Sequence, residues 1–317
     1  MSFHENITFE KYHGAGNDFI FIAHDVLSSF SNLEDLKNFA FRFCNRNTGI
    51  GADGIVFYKF LSNTNSLNKI EILIINSDGS IPETCGNALR CLGLKLIKDE
   101  IWNGNILFPV NYIYPTCLEN FSEVKFLQLT QPFAILKSAQ FSNSNKVANV
   151  QVGMGKEQIV TETKFTKNNS IQIALEADPI FVQLANPHWV FLSQDFDKFS
   201  NKEFVQFGEF AQNSLRENVV NYSVPKANIG MLWQKPNNEY SLVVYERGAG
   251  LTQCCGSGGV AARIALEKLG KIEKNTELVS LKMPGGLIQI SSQMSIPQFS
   301  EQRLLIGPAE FVYNGTI

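Results

Sequence analysis

The sequence lacks the features that mark a membrane, secreted or nucleic-acid-binding protein. No apolar stretch approaches the roughly 18 residues that a membrane span requires. Residues 1–11 contain two glutamates where a signal peptide would have an apolar core. The net charge of -3 provides no basic surface for nucleic acid or for an anionic membrane. We therefore expect a cytoplasmic protein whose partner is a small molecule, with no nucleic-acid or membrane partner.

Metal-ligand spacing is also missing from the sequence. The four histidines are scattered, and the six cysteines contain no Cys-x-x-Cys pair. Because the start of the chain does not resemble a signal peptide, we expect neither a disulfide framework nor a metal site. We interpret Cys44, Cys91 and Cys117 as small buried residues.

Two similar cysteine segments are the most informative feature that is present. Residues 76–87 and 246–258 each read as the end of a strand, a turn, a cysteine and a glycine-rich helix. They align without gaps at an offset of 170, which pairs Cys85 with Cys255. Two copies, each far longer than a solenoid unit, indicate two similar domains that would bring the two cysteines to one cleft.

The fold class follows from this repeat. A chain of 317 residues is long enough for about two domains of roughly 150 residues. The helices after Cys85 and Cys255 are rich in glycine, alanine and leucine, so we expect them to be buried on most sides. We predict an α+β protein of two pseudo-symmetric domains, each a curled, mostly antiparallel sheet or barrel around a central helix. The expected domains are residues 1–140, completed by a strand at about 300–317, and residues 141–299.

Two further helices are predicted from capping patterns. Ser31 and Ser200 each begin a capping box, with Glu34 and Glu203 three residues later, and apolar residues follow at helical spacing. We expect these helices to cover the sheets. The β-rich runs are residues 7–12, 19–23, 55–61, 70–76, 147–153, 171–175, 189–192, 228–233 and 241–245.

The position of the two cysteines suggests a chemistry. A thiol at a helix N-terminus lies beside backbone N–H groups and the positive end of the helix dipole, which favours thiolate. The same N–H groups can bind a carboxylate. If both helix ends converge, one thiolate could remove the α-proton of an amino acid while the opposite thiol returns a proton to the other face. Such a stereoinversion needs no cofactor.

A set of motifs in a fixed order supports this interpretation. The sequence resembles the diaminopimelate epimerase family over nearly the whole chain. The motifs are those of residues 11–19, 49–54, 76–80, 85–87, 186–188, 227–230, 246–250, 255–258, 284–287 and 307–309.

The resemblance implies a role for each matched residue. Cys85 and Cys255 would be the catalytic acid/base pair, and His188 would tune the site near the thiols. The proximal carboxylate would be held at the helix N-termini by Gly86, Asn87, Gly256 and Ser257. The distal amino-acid group would be recognised by Asn17, Asn76, Asn186, Asn228, Glu246 and Arg247. The resemblance implies no cofactor, a place in lysine and peptidoglycan precursor synthesis, closure of the domains on the substrate, and a homodimer.

The sequence departs from the family pattern at a few positions. Leu89 enlarges a residue in the first turn of a substrate-binding helix, and Leu251 replaces a common glutamate. Ala185 precedes Asn186 where glycine is usual, and Cys254 stands where alanine is common. Cys254 raises the question of which sulfur acts, and the repeat register favours Cys255.

Two alternatives stay open from the sequence alone. The first keeps the two-thiol mechanism with another amino acid as substrate, of the proline, hydroxyproline, histidine or glutamate type. The second is a non-catalytic binding or redox protein, which the adjacent cysteines 254 and 255 would suit.

Overall fold

The computed structural model describes residues 6–61, 69–82, 84–104, 108–115, 126–128, 134–141, 146–162, 164–165, 173–194, 200–215, 226–235, 239–296 and 299–317. The chain divides into two compact units. The first comprises Met1–Gly153 and Gly307–Ile317, and the second comprises Met154–Ile306. Cys117 and the first two residues of the strand predicted at 171–175 lie outside the described residues.

The first unit is built mainly from strands. A 3₁₀ helix, His24–Ser29, follows its second strand. The elements are β1 (Thr8–Gly14), β2 (Asn17–Ala23), α1 (Leu33–Cys44), β3 (Gly54–Leu61), β4 (Lys69–Asn76), α2 (Gly86–Lys98), β5 (Phe108–Pro115), β6 (Phe126–Gln128), β7 (Ala134–Phe141) and β8 (Val147–Gly153).

The second unit has a similar succession of elements. They are β9 (Ile159–Glu162), β10 (Ile180–Gln183), β11 (Pro187–Ser193), α3 (Asn201–Ser214), β12 (Asn228–Gln234), β13 (Tyr240–Glu246), β14 (Gly250–Leu251), α4 (Gly256–Lys268), β15 (Leu278–Met283) and β16 (Gly286–Ile296). The last strand, β17 (Phe299–Thr316), begins in the second unit and ends in the first.

The sheet of the first unit curls until its ends meet. Strands β1, β2, β3, β4, β5, β7 and β8 are paired in that order, and β2–β3 and β4–β5 are the parallel pairs. The C-terminal part of β17 pairs with β1, and β17 also pairs with β8. The amide of Phe311 donates to the carbonyl oxygen of Lys146 at 2.7 Å in this region. The first unit is therefore a closed, mostly antiparallel barrel.

The second unit repeats this topology within itself. Strands β10, β11, β12, β13, β15, β16 and β17 are paired in that order, and β11–β12 and β13–β15 are the parallel pairs. Each parallel pair is bridged by a helix, as parallel connections require. The order of parallel and antiparallel pairs is the same as in the first unit, which confirms the predicted pseudo-symmetric fold class.

The helices α2 and α4 are the central helices that the sequence predicts. Every residue of α2 from Gly86 to Leu96 is buried, as is every residue of α4 from Gly256 to Leu266. A β-carbon on Gly93 would lie 2.6 Å from the Val150 side chain, and one on Gly259 would lie 2.7 Å from Ile288. Both helices therefore approach their sheets at glycines.

The helices α1 and α3 cover their sheets, but the predicted start of α1 was wrong. Ser200 and Glu203 form the complete capping box that the sequence predicts for α3. In α1 the N-cap is Asn32, whose side chain accepts from the Asp35 amide at 2.9 Å. The Asp35 carboxylate in turn accepts from the Ser31 amide at 3.3 Å. Asparagine is as favourable an N-cap residue as serine, so the helix begins one residue later than the prediction.

The corrected cap predicts the result of a matched pair of substitutions. Asn32→Ala should lower the free energy of unfolding of the first unit by about 1 kcal/mol, because the Asp35 amide loses its acceptor. Ser31→Ala should change it by less than about 0.5 kcal/mol, since this exposed hydroxyl is not the cap. Urea denaturation of both variants measures the two values. A larger loss for Ser31→Ala than for Asn32→Ala would restore the original prediction.

Candidate active site

Each of the two repeated cysteines stands at the start of a central helix. Cys85 is the N-cap residue of α2 and Cys255 is the N-cap residue of α4, both with extended backbone. The covering helices α1 and α3 are capped by the side-chain oxygen atoms of Asn32 and Ser200. A cysteine has no such oxygen, so α2 and α4 begin without an oxygen cap, and in α4 the amide of Gly258 donates to the sulfur of Cys255 instead.

The sheet topology brings polar residues to the edge where these helices start. In the first unit β2 and β3 begin and β4 ends at one edge, which places Asn17 and Asn76 there. In the second unit β11 and β12 begin and β13 ends at the corresponding edge. His188 lies directly beside Asn228 in that parallel pair. Glu246 is the last residue of β13.

In the first unit the residues around Cys85 are held by hydrogen bonds. The amide of Cys85 donates to the hydroxyl oxygen of Tyr112 at 3.1 Å, and the hydroxyl groups of Tyr112 and Thr84 are 3.0 Å apart. The side-chain amide of Asn87 donates to Oδ1 of Asn17 at 2.9 Å. The second residue of the helix is therefore connected to the first residue of β2.

In the second unit a serine occupies the same helix position and contacts a histidine. Oγ of Ser257 lies 3.6 Å from Sγ of Cys255 and 3.0 Å from Nε2 of His188. The neighbouring Cys254 is directed elsewhere, because its thiol donates to Sδ of Met283 at 3.6 Å. The geometry thus connects Cys255 to the histidine through Ser257.

The polar residues that follow β12 and β13 are also held in place. The amide of Arg247 donates to Oδ1 of Asn228 at 2.8 Å. The Thr252 hydroxyl donates to Oε1 of Glu246 at 2.6 Å. These contacts fix the start of the turn that leads from β13 toward Cys255.

The sequence profile of the family described as diaminopimelate epimerase matches residues 9–110 and 180–312. The chain belongs to the diaminopimelate epimerase family. It is accordingly an amino-acid epimerase, and the resemblance of its motifs is confirmed. The hypothesis of a non-catalytic binding or redox protein is set aside.

Full-length relatives agree with this family. The chain is 29% identical to the diaminopimelate epimerase of Natranaerobius thermophilus, over 98% of this chain and 97% of the relative. It is 30% identical to the diaminopimelate epimerase of Prochlorococcus marinus strain NATL1A, over 98% of both chains.

Solved structures support the fold. A hydroxyproline epimerase from Agrobacterium vitis matches with a TM-score of 0.63 at 11% identity, over 100% of this chain and 94% of that one. A Bacillus anthracis phenazine biosynthesis protein of the PhzF family matches with a TM-score of 0.64 at 11% identity, over 99% of both chains. At this identity the likeness concerns the fold alone.

The resting state of Cys255 differs from the sequence-based expectation for this epimerase. Burial, and then the negative charge of Glu246, raise the pKa of the Cys255 thiol well above its ordinary value. Hydrogen bonds from Ser257 and from the amide of Gly258 lower the pKa of the thiol but do not outweigh burial. The prediction of a favoured thiolate was therefore wrong for Cys255, because desolvation of a buried charge outweighs the helix N-terminus.

His188 is a neutral histidine. Complete burial, together with the nearby positive charge of Arg247, lowers the pKa of His188 to about 3. When Cys255 is a thiolate, the Ser257 hydroxyl donates to the sulfur and Nε2–H of His188 donates to the serine oxygen. Nδ1 is then unprotonated, and it meets no hydrogen-bonding partner among the described residues. The histidine can thus hold Ser257 as a donor to the sulfur without a proton transfer.

The structure brings together most of the residues predicted in the second unit. Ser257 contacts both Cys255 and His188. The side chain of Asn228 accepts a hydrogen bond from the backbone amide of Arg247. In the first unit Asn17 and Asn87 are joined, and Gly86 lies between Cys85 and Asn87 at the start of α2. Gly256 has the same place in α4.

The other predicted residues have separate partners. Asn186 is buried in the turn before β11. Asn76 donates its side-chain amide to Ser80 Oγ at 2.9 Å.

Two residues that position the site were missed from the sequence. Tyr112 lies in β5, far along the chain from Cys85, and nothing in its surroundings signals its bond to the Cys85 amide. Thr252 lies between Glu246 and Cys255, and its hydroxyl is the feature of the sequence that could have indicated it. Neither residue carries charge, so neither stood out as a candidate.

The residues that depart from the family pattern have defined surroundings in the structure. Leu89 is fully buried on the central helix, so its larger side chain lies in the core. Leu251 packs against the aromatic core of the second unit, which includes Phe191 and Phe207. Ala185 lies in the turn before β11, where Nε2 of Gln183 donates to its carbonyl oxygen at 3.4 Å.

Two other kinds of site are absent from the described part of the chain. Within it, no helix is long and apolar enough to cross a membrane. The same residues contain no group of three or more His, Cys, Asp or Glu side chains that could hold a metal ion.

The raised pKa of Cys255 predicts its alkylation profile. In the protein without substrate, the rate of Cys255 alkylation by iodoacetamide should keep rising from about pH 7 to pH 9, because only the thiolate reacts. Glu246→Gln should move the profile to lower pH, since it removes a charge that raises the pKa. Ser257→Ala should move it to higher pH. Mass spectrometry of the modified peptide gives the rates.

Cys44 is the control for this experiment. It is also buried, and burial raises the pKa of Cys44 to about 12. Its alkylation should likewise rise with pH and reach no plateau over the same range. A plateau of Cys255 reactivity below about pH 8 would contradict the assigned resting state.

Proposed function

We propose that the protein converts LL-2,6-diaminopimelate to meso-diaminopimelate by a cofactor-independent, two-cysteine acid/base mechanism, in lysine and peptidoglycan precursor biosynthesis. One observation carries the proposal. In a chain of this family, each unit presents one cysteine at the start of a buried helix that lacks a side-chain oxygen cap.

The helix termini are suited to hold the carboxylate next to the reacting carbon. The first amides of α2 and α4 belong to Gly86, Asn87, Gly256 and Ser257, and these point away from the helix. They can donate to carboxylate oxygens and meet the negative charge that develops when the α-proton leaves. Removing one such donor in other enzymes costs about 2.7 to 4 kcal/mol of transition-state stabilisation.

The proton transfers need one thiolate and one thiol at the same carbon. The thiolate takes the α-proton and becomes a thiol, while the electron pair of the C–H bond moves onto the carboxylate. The opposite thiol then gives its proton to the other face and becomes a thiolate. Burial favours the protonated form of Cys255 in the protein without substrate, which suits it to give a proton in the first turnover.

The distal amino-acid group requires donors and acceptors at a distance from the thiols. We assign its recognition to Asn17, Asn76, Asn186, Asn228, Glu246 and Arg247, as the family pattern implies. The bond from the Arg247 amide to Asn228 and the bond from Thr252 to Glu246 support this assignment, because they hold both charged residues at one edge of the sheet. Arginine can bind a carboxylate through two parallel hydrogen bonds.

The alternative substrate is another amino acid of the proline, hydroxyproline, histidine or glutamate type. The solved structures of a hydroxyproline epimerase and a probable proline racemase share the fold at 11% and 12% identity. The charged pair Glu246 and Arg247 favours a substrate that is polar at both ends. A cytoplasmic location and a homodimer stay predictions.

Cysteine substitutions test the mechanism. Cys85→Ser and Cys255→Ser should each lower kcat for epimerisation of LL-diaminopimelate by about 10²- to 10⁴-fold, the usual contribution of a positioned acid or base. Proton NMR of the substrate in deuterated water measures both the loss of the α-proton and the appearance of the meso isomer. Cys254→Ala is the matched control and should keep most of the activity, because the Cys254 thiol donates its hydrogen bond to Sδ of Met283.

The outcomes separate the alternatives. Full activity in either serine variant would contradict the two-thiol mechanism. A wild-type protein that epimerises proline, hydroxyproline, histidine or glutamate, and leaves diaminopimelate unchanged, would replace the substrate and keep the mechanism.

A further inference from the structure

Asn17 and Asn87 belong to a longer hydrogen-bonded chain in the first unit. Nη2 of Arg90 donates to Oδ1 of Asn87 at 2.8 Å. Nδ2 of Asn87 donates to Oδ1 of Asn17 at 2.9 Å, and Nδ2 of Asn17 donates to Oδ2 of Asp53 at 2.5 Å. The chain therefore begins at a guanidinium group and ends at a carboxylate, and every bond runs in the same direction.

The charged ends decide how the two amides between them are oriented. An asparagine side chain turned over by 180° exchanges its donor and its acceptor. If Asn87 turned over, its NH₂ group would face the Arg90 guanidinium and its oxygen would face Oδ1 of Asn17. If Asn17 turned over, its oxygen would face the Asp53 carboxylate. Each reversal replaces charge-assisted hydrogen bonds by repulsive contacts, so the ends fix both amides in one state.

Both ends of the chain are themselves anchored. Arg90 is fully buried on α2, and its Nε donates to the carbonyl oxygen of Pro308 at 3.2 Å. Oδ1 of Asp53 accepts from Nη2 of Arg46 at 2.7 Å. Oδ2 of Asp53 also accepts from the amide of Asp18 at 3.1 Å.

The internal repeat shows that this chain of hydrogen bonds is particular to the first unit. At the offset of 170, Val260 takes the position of Arg90, and Ser257 takes that of Asn87. In the second unit Ser257 contacts the neutral His188 instead. A serine hydroxyl can rotate to suit its partners, whereas an amide at the helix start must be held so that it presents its NH₂ group.

We propose that Arg90 and Asp53 are positioning residues that orient the side-chain amides of Asn87 and Asn17 toward the substrate. The proposal rests on the proposed function, which assigns Asn87 to the proximal carboxylate and Asn17 to the distal group. With its oxygen held by Arg90, Asn87 presents a donor at the start of α2, where its oxygen would repel the carboxylate. Neither positioning residue touches the substrate.

Double-mutant cycles test whether the two residues act through the asparagines. Arg90→Met and Asp53→Asn should each lower kcat/KM by about 10- to 100-fold, the loss expected for a hydrogen bond to a charged group. In an Asn87→Ala background Arg90→Met should have less than about a 2-fold further effect, and the same holds for Asp53→Asn in Asn17→Ala. Losses that multiply in both double variants would overturn the proposal.

Arg263→Met is the matched control for the loss of a buried arginine. Arg263 is fully buried on α4, and it bonds to Glu267 and to the carbonyl oxygens of Thr276 and Ile290. Its removal should lower the unfolding midpoint and leave kcat/KM of the folded protein unchanged. An equal fall in kcat/KM for Arg263→Met and Arg90→Met would overturn the positioning role.

A second readout needs no activity and no folded Arg90 variant. With ¹⁵N-asparagine labelling, the side-chain NH₂ signals of Asn17 and Asn87 can be assigned from the alanine variants. Asp53→Asn changes a partly exposed side chain and should shift the signals of both residues, although its own bond is to Asn17. If the NH₂ signals of both residues stay in place, the chain of hydrogen bonds does not orient the amides. If wild-type protein leaves diaminopimelate unchanged, the proposed function fails and these signals still decide the orientation.

Discussion

The first turn of a helix leaves backbone N–H groups without an acceptor inside the helix, and the rest of this structure depends on how α2 and α4 meet that constraint. In α1 and α3 the oxygen atoms of Asn32 and Ser200 act as caps. In α2 and α4 a cysteine takes the cap position. Both helices are buried along most of their length. Within each unit, the N-terminus of the helix is therefore held beside the strand ends that carry the polar residues. A carboxylate at such a terminus can accept hydrogen bonds from the first amides of the helix.

The repeat supplies the same framework twice but surrounds each thiol differently. At the start of α2, next to Cys85, Asn87 and Asn17 are hydrogen-bonded between Arg90 and Asp53. Around Cys255 the polar partners are Ser257 and a neutral His188, in a setting where burial keeps the sulfur protonated. In the two-thiol mechanism one sulfur takes a proton and the other gives one, so the two exchange protonation states in each turnover. The halves have thus diverged around the two thiols while the strand order is kept.

Much of the fold could be predicted because the repeat and the helix composition are local signals. The buried helices after Cys85 and Cys255, the covering helices and the strand–turn–cysteine order are all present in short segments. The cap at Asn32 was missed because Ser31 offers an equally good pattern one residue earlier. The bond of Tyr112 to Cys85 and the raised pKa of Cys255 depend on tertiary packing. No local pattern reports how deeply a thiol is buried, so the helix dipole predicts a lowered pKa for Cys255 where burial raises it.

The fate of the α-proton early in the reaction tests the two-thiol account most directly. The reaction is started in deuterated water from LL-diaminopimelate and stopped while most substrate remains. Two thiols acting on opposite faces predict deuterium at the inverted carbon of the meso product, because the proton given comes from a thiol equilibrated with solvent. The remaining LL substrate should keep its proton. A meso product that carries the original proton would mean that one group moves it between faces, and would contradict the central claim.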